Sequence, residues 1–539
     1  MSELPILTII ILLPLVSGII VAGLGEQKKL ARGIAFISSL LSLALALLLW
    51  RSFDASSGDL QFVEKRGWIP SLGVNYFVAV DGLGLLMVLL TAIIAPMAML
   101  ASWRLVGMNS TSSHSSKVGD AVECVSTGHG SHLYFSLVLF LQAGLFGTFT
   151  ALNFFHWFIF WELSLIPAFF LVRLWGGPQR ARAATQFFVY TMVGSVAMLL
   201  SFLAIFLATG EFDFIELAEL GRNGTLASAL SVKLGWYGLN TETLSLLIFG
   251  GVLLGFAVKV PLMPFHTWLP ATYAEAPNGV TMLLTGVMSK MGVYGLLRIL
   301  LPIFPDQIQT LRTPLLVLAV ITIVFSACAA FAQRDLKRIL AYSSINHLGY
   351  CLLAVFAVSR YTGNDTAVAA EKAAALNGVF LQMFNHGLTA ATLFWFVALL
   401  EQRTGGLRGL NDFGGVRKVA PVFCGLMGIT LFSSLGLPGL NGFVGEFLIF
   451  KGVFPLAMCS ASLSVIGLLV TAIFILTILQ RVFNGPLNEK WSKFPDLTLG
   501  ERTLLTVPIG LMFVLGLWPQ LVLGVINNTV VRMAEQLKF

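Results

Sequence analysis

Seven ionisable residues stand inside apolar runs: Glu162, Lys259, Lys290, His347, His386, Glu446 and Lys451. An ionised side chain in hydrocarbon costs about 2.5 kcal/mol or more, so each of these positions calls for a partner or a task. Carboxylates, amines and imidazoles held in such surroundings are the groups that take up and release protons. Glu162 lies in FIFWELSLIP, amid the most apolar sequence of its segment. A carboxylate used only for helix packing is the competing reading there.

Lys259 lies in AVKVPLMPFHTWLP. Proline has no amide hydrogen and its ring clashes with the carbonyl four residues back, so Pro261 and Pro264 are expected to break a helix at or just after the lysine. Broken membrane helices are tolerated where they line a protein-buried or watered cavity. A lysine there can give up and regain a proton; a lysine snorkelling from a helix end is the alternative, though apolar sequence flanks it on both sides. His266, after the break, reads as interfacial and structural. The same device recurs with opposite charge in GLPGLNGFVGE, where glycines and Pro438 interrupt a helix just before Glu446. Close glycine packing explains the glycines but not the carboxylate. Lys451, five residues on, either pairs with Glu446 or reaches the interface. His347 and His386, in SSINHLGY and QMFNHG, have the ring chemistry for relay work, with hydrogen-bonded packing as the alternative.

The elements that must hold these groups are membrane helices. The chain of 539 residues is 57% hydrophobic and 11% charged, with a mean hydropathy of +0.87. Soluble domains carry about a quarter charged residues, so a soluble enzyme, a disordered chain and a nucleic-acid binder are excluded. A crossing needs roughly 20 apolar residues. About fourteen such windows occur, at 4–24, 31–50, 83–105, 133–151, 154–175, 186–209, 244–270, 279–302, 313–332, 338–358, 374–400, 420–450, 461–483 and 503–527. The expected fold is therefore an all-α polytopic membrane protein, its first segment a retained helix and not a cleaved signal peptide.

Lys259 precedes Glu446 by 187 residues and Glu162 precedes His347 by 185. Crossings four to eight and nine to thirteen are five each, so the second set starts on the opposite face: two inverted repeats, at 132–302 and 313–483, each with one broken helix. Residues 1–131 form an N-terminal unit of three crossings with a Ser-rich loop, and 484–539 supply the fourteenth. Loops after odd-numbered crossings hold most of the basic residues, among them Arg180, Arg334, Lys337 and Arg417, which places both termini on the outer or lumenal side.

Two loops are long. Residues 107–131 hold His114, Cys124 and His129, followed by His132, but their spacing matches no standard metal site. Residues 210–242 read as an amphipathic surface segment. Cys328, Cys351, Cys424 and Cys459 lie in apolar sequence, and the absence of a CxxC spacing argues against an iron-sulfur cluster, a zinc ribbon or a disulfide framework.

Taken together, FWELSLIP, AVKVPLMPFHTWLP with the following EAP, LLTGVMSKMGVYGLLR, RDLKRILAYSSINHLGY and GLPGLNGFVGEF resemble the antiporter-like chain 4 of respiratory complex I, over roughly crossings three to thirteen. Within that family the chain looks most like the D-type subunit of the cyanobacterial and plastid NAD(P)H dehydrogenase, which works with ferredoxin and plastoquinone in thylakoids. NFFHWFIFWELSLIPAFFLVRLWGG suggests its carbon-dioxide-uptake paralogue. The resemblance implies that Glu162 partners the broken-helix lysine, Lys259; that Lys290 is the connecting lysine of crossing eight; that His347 and His386 are relay histidines; and that Glu446 is the terminal glutamate. It also implies no redox cofactor or metal on this chain, and partners among the membrane and hydrophilic subunits of such a complex, adjoining antiporter-like chains and lipid. Asn346, where many relatives carry Ser, and the Ser-rich insert depart from the family pattern.

Three functions follow: a proton-translocating subunit of a redox-driven complex; a subunit of a multi-chain cation/proton antiporter, which would use the same lysines; and a structural chain that tethers a carbon-dioxide-hydrating module, for which the titrating residues are dispensable.

Overall fold

Sustained apolar runs fold as helices in a membrane because only a helix satisfies its own backbone groups without water. The structure, a computed structural model, describes residues 4–25, 27–103, 130–235, 239–361, 363 and 365–537. Among them, thirteen helices are long and apolar enough to cross a membrane. They are α1 (Ile6–Gly23), α2 (Lys28–Ser52), α3 (Gly82–Ala101), α4 (Ser131–Thr150), α5 (Phe154–Trp175), α6 (Arg180–Thr209), α9 (Thr241–Lys259), α11 (Asn278–Ile303), α12 (Arg312–Ala332), α13 (Leu336–Ala357), α14 (Thr366–Thr404), α17 (Met458–Phe483) and α18 (Leu499–Leu517). The twelfth expected crossing is a split pair, α15 (Pro421–Leu435) and α16 (Asn441–Leu456). The protein is a polytopic, nearly all-helical membrane protein.

Burial sorts these helices. α11 and α14 are wholly enclosed over their apolar windows and α13 almost so, whereas α1, α2, α17 and α18 leave most of theirs on the outside. The enclosed helices are the ones that carry Lys290, His347 and His386. α14 is 39 residues long, begins under the Asp365 side-chain cap and ends at Gly405 in the left-handed region at φ 70°. Two features sharpen the expected outline. The last crossing stops at Leu517, and Pro519 separates it from a further helix, α19 (Gln520–Gln536), so the expected 503–527 window is two elements. The 210–242 segment forms two short helices, α7 (Phe214–Arg222) and α8 (Thr225–Leu234).

The fold also departs from an all-helical one. Strand β1 (Gln61–Ile69) pairs antiparallel with β2 (Val74–Val80), in a register that sets Gln61 opposite Val80 and Ile69 opposite Val74. Between them Pro70–Leu72 makes one tight turn and Gly73 closes it at φ 65°. β-branched and aromatic residues around a Pro-Ser-Leu-Gly turn favour a hairpin, and the segment is too polar to cross. The hairpin clamps its surroundings through Glu64 Oε1, which accepts from Leu7 N at 3.0 Å, and through Lys65, 2.7 Å from Asp213.

Candidate functional site

α9 ends at Lys259, where the sequence places the break, and the chain then runs in turns to the short helix α10 (Trp268–Glu275). The turn is tied down by Trp268 Nε1, which donates to the Val258 carbonyl at 2.9 Å, and by Met263 N, which donates to Thr322 Oγ1 of α12 at 3.1 Å. Lys259 is 2% exposed. Its ammonium makes no hydrogen bond and lies 4.7 Å from the centre of the Trp161 ring. A cation over an indole face is stabilised by about 0.5 to 2 kcal/mol. Trp157 and Phe256 complete an aromatic cradle, their rings 4.8 Å and 5.8 Å from that of Trp161. Trp161 itself is fixed by its Nε1 donating to Ser195 Oγ at 3.0 Å.

Glu162 follows Trp161 on α5, and its Oε1 is buried without a hydrogen bond. No described ion pair within 4.0 Å joins it to Lys259.

Lys290, fully buried, belongs to a different arrangement. Two π-helical stretches, Leu284–Met288 and Leu296–Leu300, bracket it; such turns loosen the backbone ladder and are frequent at functional sites. Its ammonium donates to the Thr285 carbonyl and to Ser289 Oγ at 3.4 Å, and lies 2.8 Å from His386 Nδ1. The His386 and His347 rings are 5.0 Å apart, centre to centre. His347 Nδ1 is 2.9 Å from Glu446 Oε1, and His347 Nε2 is 3.3 Å from Ser434 Oγ. Gln382 Nε2 donates to the same Glu446 oxygen at 3.1 Å. Lys290, His386, His347 and Glu446 thus form one continuous file across α11, α14, α13 and α16.

The second break positions the end of the file. α15 stops at Leu435, and Gly436 adopts φ +79°; a Cβ there would sit 2.9 Å from Glu446 Oε2, so both backbone and space require glycine. Asn385, next to His386, donates its Nδ2 to the Asn441 carbonyl at 2.6 Å, and Asn441 Nδ2 returns a bond to the Asn385 carbonyl at 3.2 Å. Asn346 has a packing role: its Nδ2 donates to the Ile323 carbonyl at 2.9 Å and fastens α13 to α12.

The structure therefore joins Lys290, His347, His386 and Glu446, and sets Lys259 apart in the aromatic cradle, with Glu162 next to Trp161 on α5. Lys451 does not pair with Glu446: it is half-exposed and 3.3 Å from Glu371, outside the file. His266 is partly exposed beyond the break. Of the histidine and cysteine loop, His114, Cys124 and His129 lie outside the described residues, while His132 lies in α4. Among the described residues no group of three or more metal-ligating side chains gathers.

Two charged clusters escaped the sequence reading. In one, Lys337 is 4% exposed, its ammonium 3.5 Å from Glu401 and donating to the Ala276 carbonyl at 3.3 Å. Arg408 bridges Asp335 at 2.6 Å and Glu401 at 3.4 Å, and Asn278 Nδ2 donates to Glu401 Oε2 at 2.6 Å. Burial works against the Arg408 charge, yet Asp335, Glu401 and Glu275 hold its guanidinium above its ordinary value. In the other, Asp81 and Arg298 pair at 2.5 Å. These residues stand at the ends of crossings, where single charges in sequence look like ordinary solvated flanks.

Comparison with known proteins fits this geometry. Residues 151–474 match the family model described as NADH:quinone oxidoreductase/Mrp antiporter, TM. The chain is 32% identical to NADH-quinone oxidoreductase subunit M of Mycobacterium tuberculosis, over 98% of this chain and 94% of that one. It is 34% identical to F(420)H(2) dehydrogenase subunit M of Methanosarcina mazei, over 98% and 97%, and 32% identical to an NAD(P)H-quinone oxidoreductase chain 4 of Trichormus variabilis, over 99% and 92%. In fold it is similar to a chain of respiratory complex I from Thermus thermophilus, with a TM-score of 0.80 at 26% identity over 98% and 99% of the two chains. The Mrp complex from Dietzia contains a chain of the same fold, with a TM-score of 0.80 at 18% identity over 99% of each. By the extent of the family match and of these relatives, the chain belongs to the NADH:quinone oxidoreductase/Mrp antiporter membrane family, among its subunit M and chain 4 members.

Proposed function

We propose that this chain is the antiporter-like subunit of a complex I-type quinone oxidoreductase and carries protons through the membrane interior while other subunits perform the redox chemistry. The observation that carries the reading is the file Lys290, His386, His347, Glu446, in which each ionisable group lies beside the next. An ammonium beside an imidazole nitrogen passes its proton along a hydrogen bond; the second imidazole, by turning or through a water, passes it to the carboxylate. Lys259 is the switch. With no hydrogen bond to hold its proton, its charge answers to the field of Glu162 and to any charge arriving from the adjoining subunit. Hydrophilic and membrane subunits of the complex are its partners, as the assemblies containing its structural relatives suggest.

The two five-crossing sets are read as inverted repeats, which is supported by a break in the fourth crossing of each, after Lys259 and before Asn441. The finer assignment is a cyanobacterial form working with ferredoxin and plastoquinone in thylakoids, with lumenal termini and a place in carbon-dioxide uptake. Its support is the motif resemblance and the chain 4 relatives; the mycobacterial and methanogen relatives stand as near, so a respiratory donor is the competing outcome. The fold shared with the Mrp complex favours a second reading, a cation/proton antiporter subunit.

The test is the purified complex in proteoliposomes. Copurifying iron-sulfur subunits and quinone-linked proton ejection, lost in Lys290→Ala and Glu446→Gln, support the first reading. Sodium-driven proton movement without quinone reduction supports the second. Parental pumping in both variants defeats the relay altogether.

A further inference from the structure

α11 carries a polar side chain on every turn of a wholly buried helix: Asn278, Thr281, Thr285, Ser289 with Lys290, Tyr294 and Arg298. Asn278 touches the Glu401 cluster at one end, and Arg298 meets Asp81 at the other. The file to Glu446 uses only the middle of this line. The Arg298 end opens on a cavity of about 310 Å³ on the face that holds the loops after even-numbered crossings. The β1 approach, α7, the end of α11 and α19 wall it, with Asp81 and Arg298 at its floor. Arg222, and Arg532 paired with Asp59, stand at its sides.

The floor is built in detail. Asp81 is 4% exposed; its Oδ1 accepts from Leu83 N and Gly84 N at 3.1 Å and caps α3, leaving Oδ2 for the guanidinium. Arg298 Nε is buried without a hydrogen bond, so the carboxylate holds one edge of the fork only. The Tyr294 ring lies 5.7 Å from the guanidinium centre, and its hydroxyl donates to the Phe149 carbonyl at 3.1 Å. Tyr294 is one helical turn from Lys290 and on the same side of α11.

We propose that the Asp81–Arg298 pair is an outlet gate, through which a proton held on Lys290 leaves for this cavity as an alternative to travelling on to Glu446. The inference rests on the proton-translocating reading. In the closed state both Asp81 oxygens are engaged, Oδ1 by the α3 cap and Oδ2 by the guanidinium, so the carboxylate takes no proton from the cavity, and Arg222 adds positive charge to its wall. When the pair parts, an N–H bond of the Lys290 ammonium breaks and its proton passes through water to the Tyr294 oxygen, the hydroxyl turns from the Phe149 carbonyl and gives up its original proton, and an O–H bond forms on Asp81. Cavity water then takes that proton and the carboxylate returns to Arg298. One proton crosses per opening and nothing else is consumed. Arg298 is a positioning residue, acting through Asp81.

Asp81→Asn separates the gate from the cap, because asparagine caps a helix as aspartate does but takes no proton. In proteoliposomes of the whole complex, Asp81→Asn is expected to keep quinone reduction and to lower the proton-to-electron ratio by part of this chain's share, less than Lys290→Ala does. Asp81→Glu restores it, and Arg298→Lys, which keeps the charge without the fork, raises passive proton leak. A parental ratio in Asp81→Asn beside a lowered one in Lys290→Ala overturns the gate and leaves the relay; parental ratios in both overturn the relay itself. Should Asp81→Asn fail to assemble, Ala218→Cys on the cavity wall decides, with the unsubstituted chain as control. A membrane-impermeant cationic thiol reagent added on the cavity side lowers the ratio if this is the outlet, and an unchanged ratio in the modified complex overturns it.

Discussion

The two broken crossings solve one problem in opposite ways. After α9 the chain buries a cation and gives it no hydrogen bond, only the Trp161 face and a carboxylate out of contact. Between α15 and α16 it buries a carboxyl group and bonds it to His347 and Gln382. A buried charge without a partner is costly, whereas one with hydrogen bonds is held in place. The first site is thus sensitive to distant charge and the second to local geometry, which suits a switch followed by a conductor.

The comparison breaks most completely at Glu446. Glutamine keeps an oxygen for Gln382 and offers an amide to His347, so the fold should survive while the proton site is lost. Loss of a positioned acid or base typically costs about a hundredfold or more in transfer rate. Glu446→Gln is expected to abolish proton ejection through the file in an assembled complex, and Glu446→Asp to retain part of it. Infrared difference spectra of the carboxyl stretch during turnover check the assignment. No signal from Glu446, with normal pumping in the glutamine variant, would make the second half a scaffold.

Lys290 comes next. Arginine keeps a positive charge but does not release a proton at accessible pH. Lys290→Ala and Lys290→Arg should therefore impair pumping alike, measured as protons per electron. Rescue by arginine would show that a fixed charge beside His386 suffices. A smaller effect is expected for Gly436→Ala, which puts a side chain where φ is +79° and only 2.9 Å from the Glu446 carboxylate. The left-handed backbone alone costs about 1 to 2 kcal/mol. The variant should assemble with a lowered melting temperature and slowed pumping, as Glu446 is pushed off His347.

How much of this was legible beforehand differs between the same two regions. Pro261 and Pro264, and the glycines around Pro438, announce both breaks because backbone chemistry is local. The ionisable residues stand out because an ionised group in hydrocarbon is costly, although Lys451 proves to be half-exposed. Their partners are less visible: Lys290 meets His386 across 96 positions, and spacing along one helix says nothing about which neighbour it faces. The resemblance makes Glu162 the partner of Lys259, but only packing shows that Trp161, one residue earlier on α5, takes the face next to the lysine. The Lys337–Glu401 and Asp81–Arg298 clusters were hidden because Asp81 precedes its helix and the other three lie in the first or last turns of theirs, and only the packing of distant helix ends brings the partners together.

The smallest effects belong to the unbonded lysine's surroundings. Glu162 is beyond 4 Å, so its influence on Lys259 lies below the roughly 4 kcal/mol that contact would give at an effective dielectric near 20. Glu162→Gln should lower pumping without stopping it, and a loss as deep as that of Lys259→Ala would mean that the two pair directly during turnover. Trp161→Phe is subtler still. Phenylalanine keeps an aromatic face for the ammonium, though a weaker one, and loses the bond from the indole N–H to Ser195, which together cost about 1 to 2 kcal/mol. Trp161→Leu removes the face altogether and leaves Lys259 with neither ring nor hydrogen bond. The expected order of protons per electron is parental, then Trp161→Phe, then Trp161→Leu, with quinone reduction in uncoupled membranes unchanged throughout. If leucine serves as well as tryptophan, the cradle is only packing, and the contrast between an unbonded switch and a bonded conductor loses its first member.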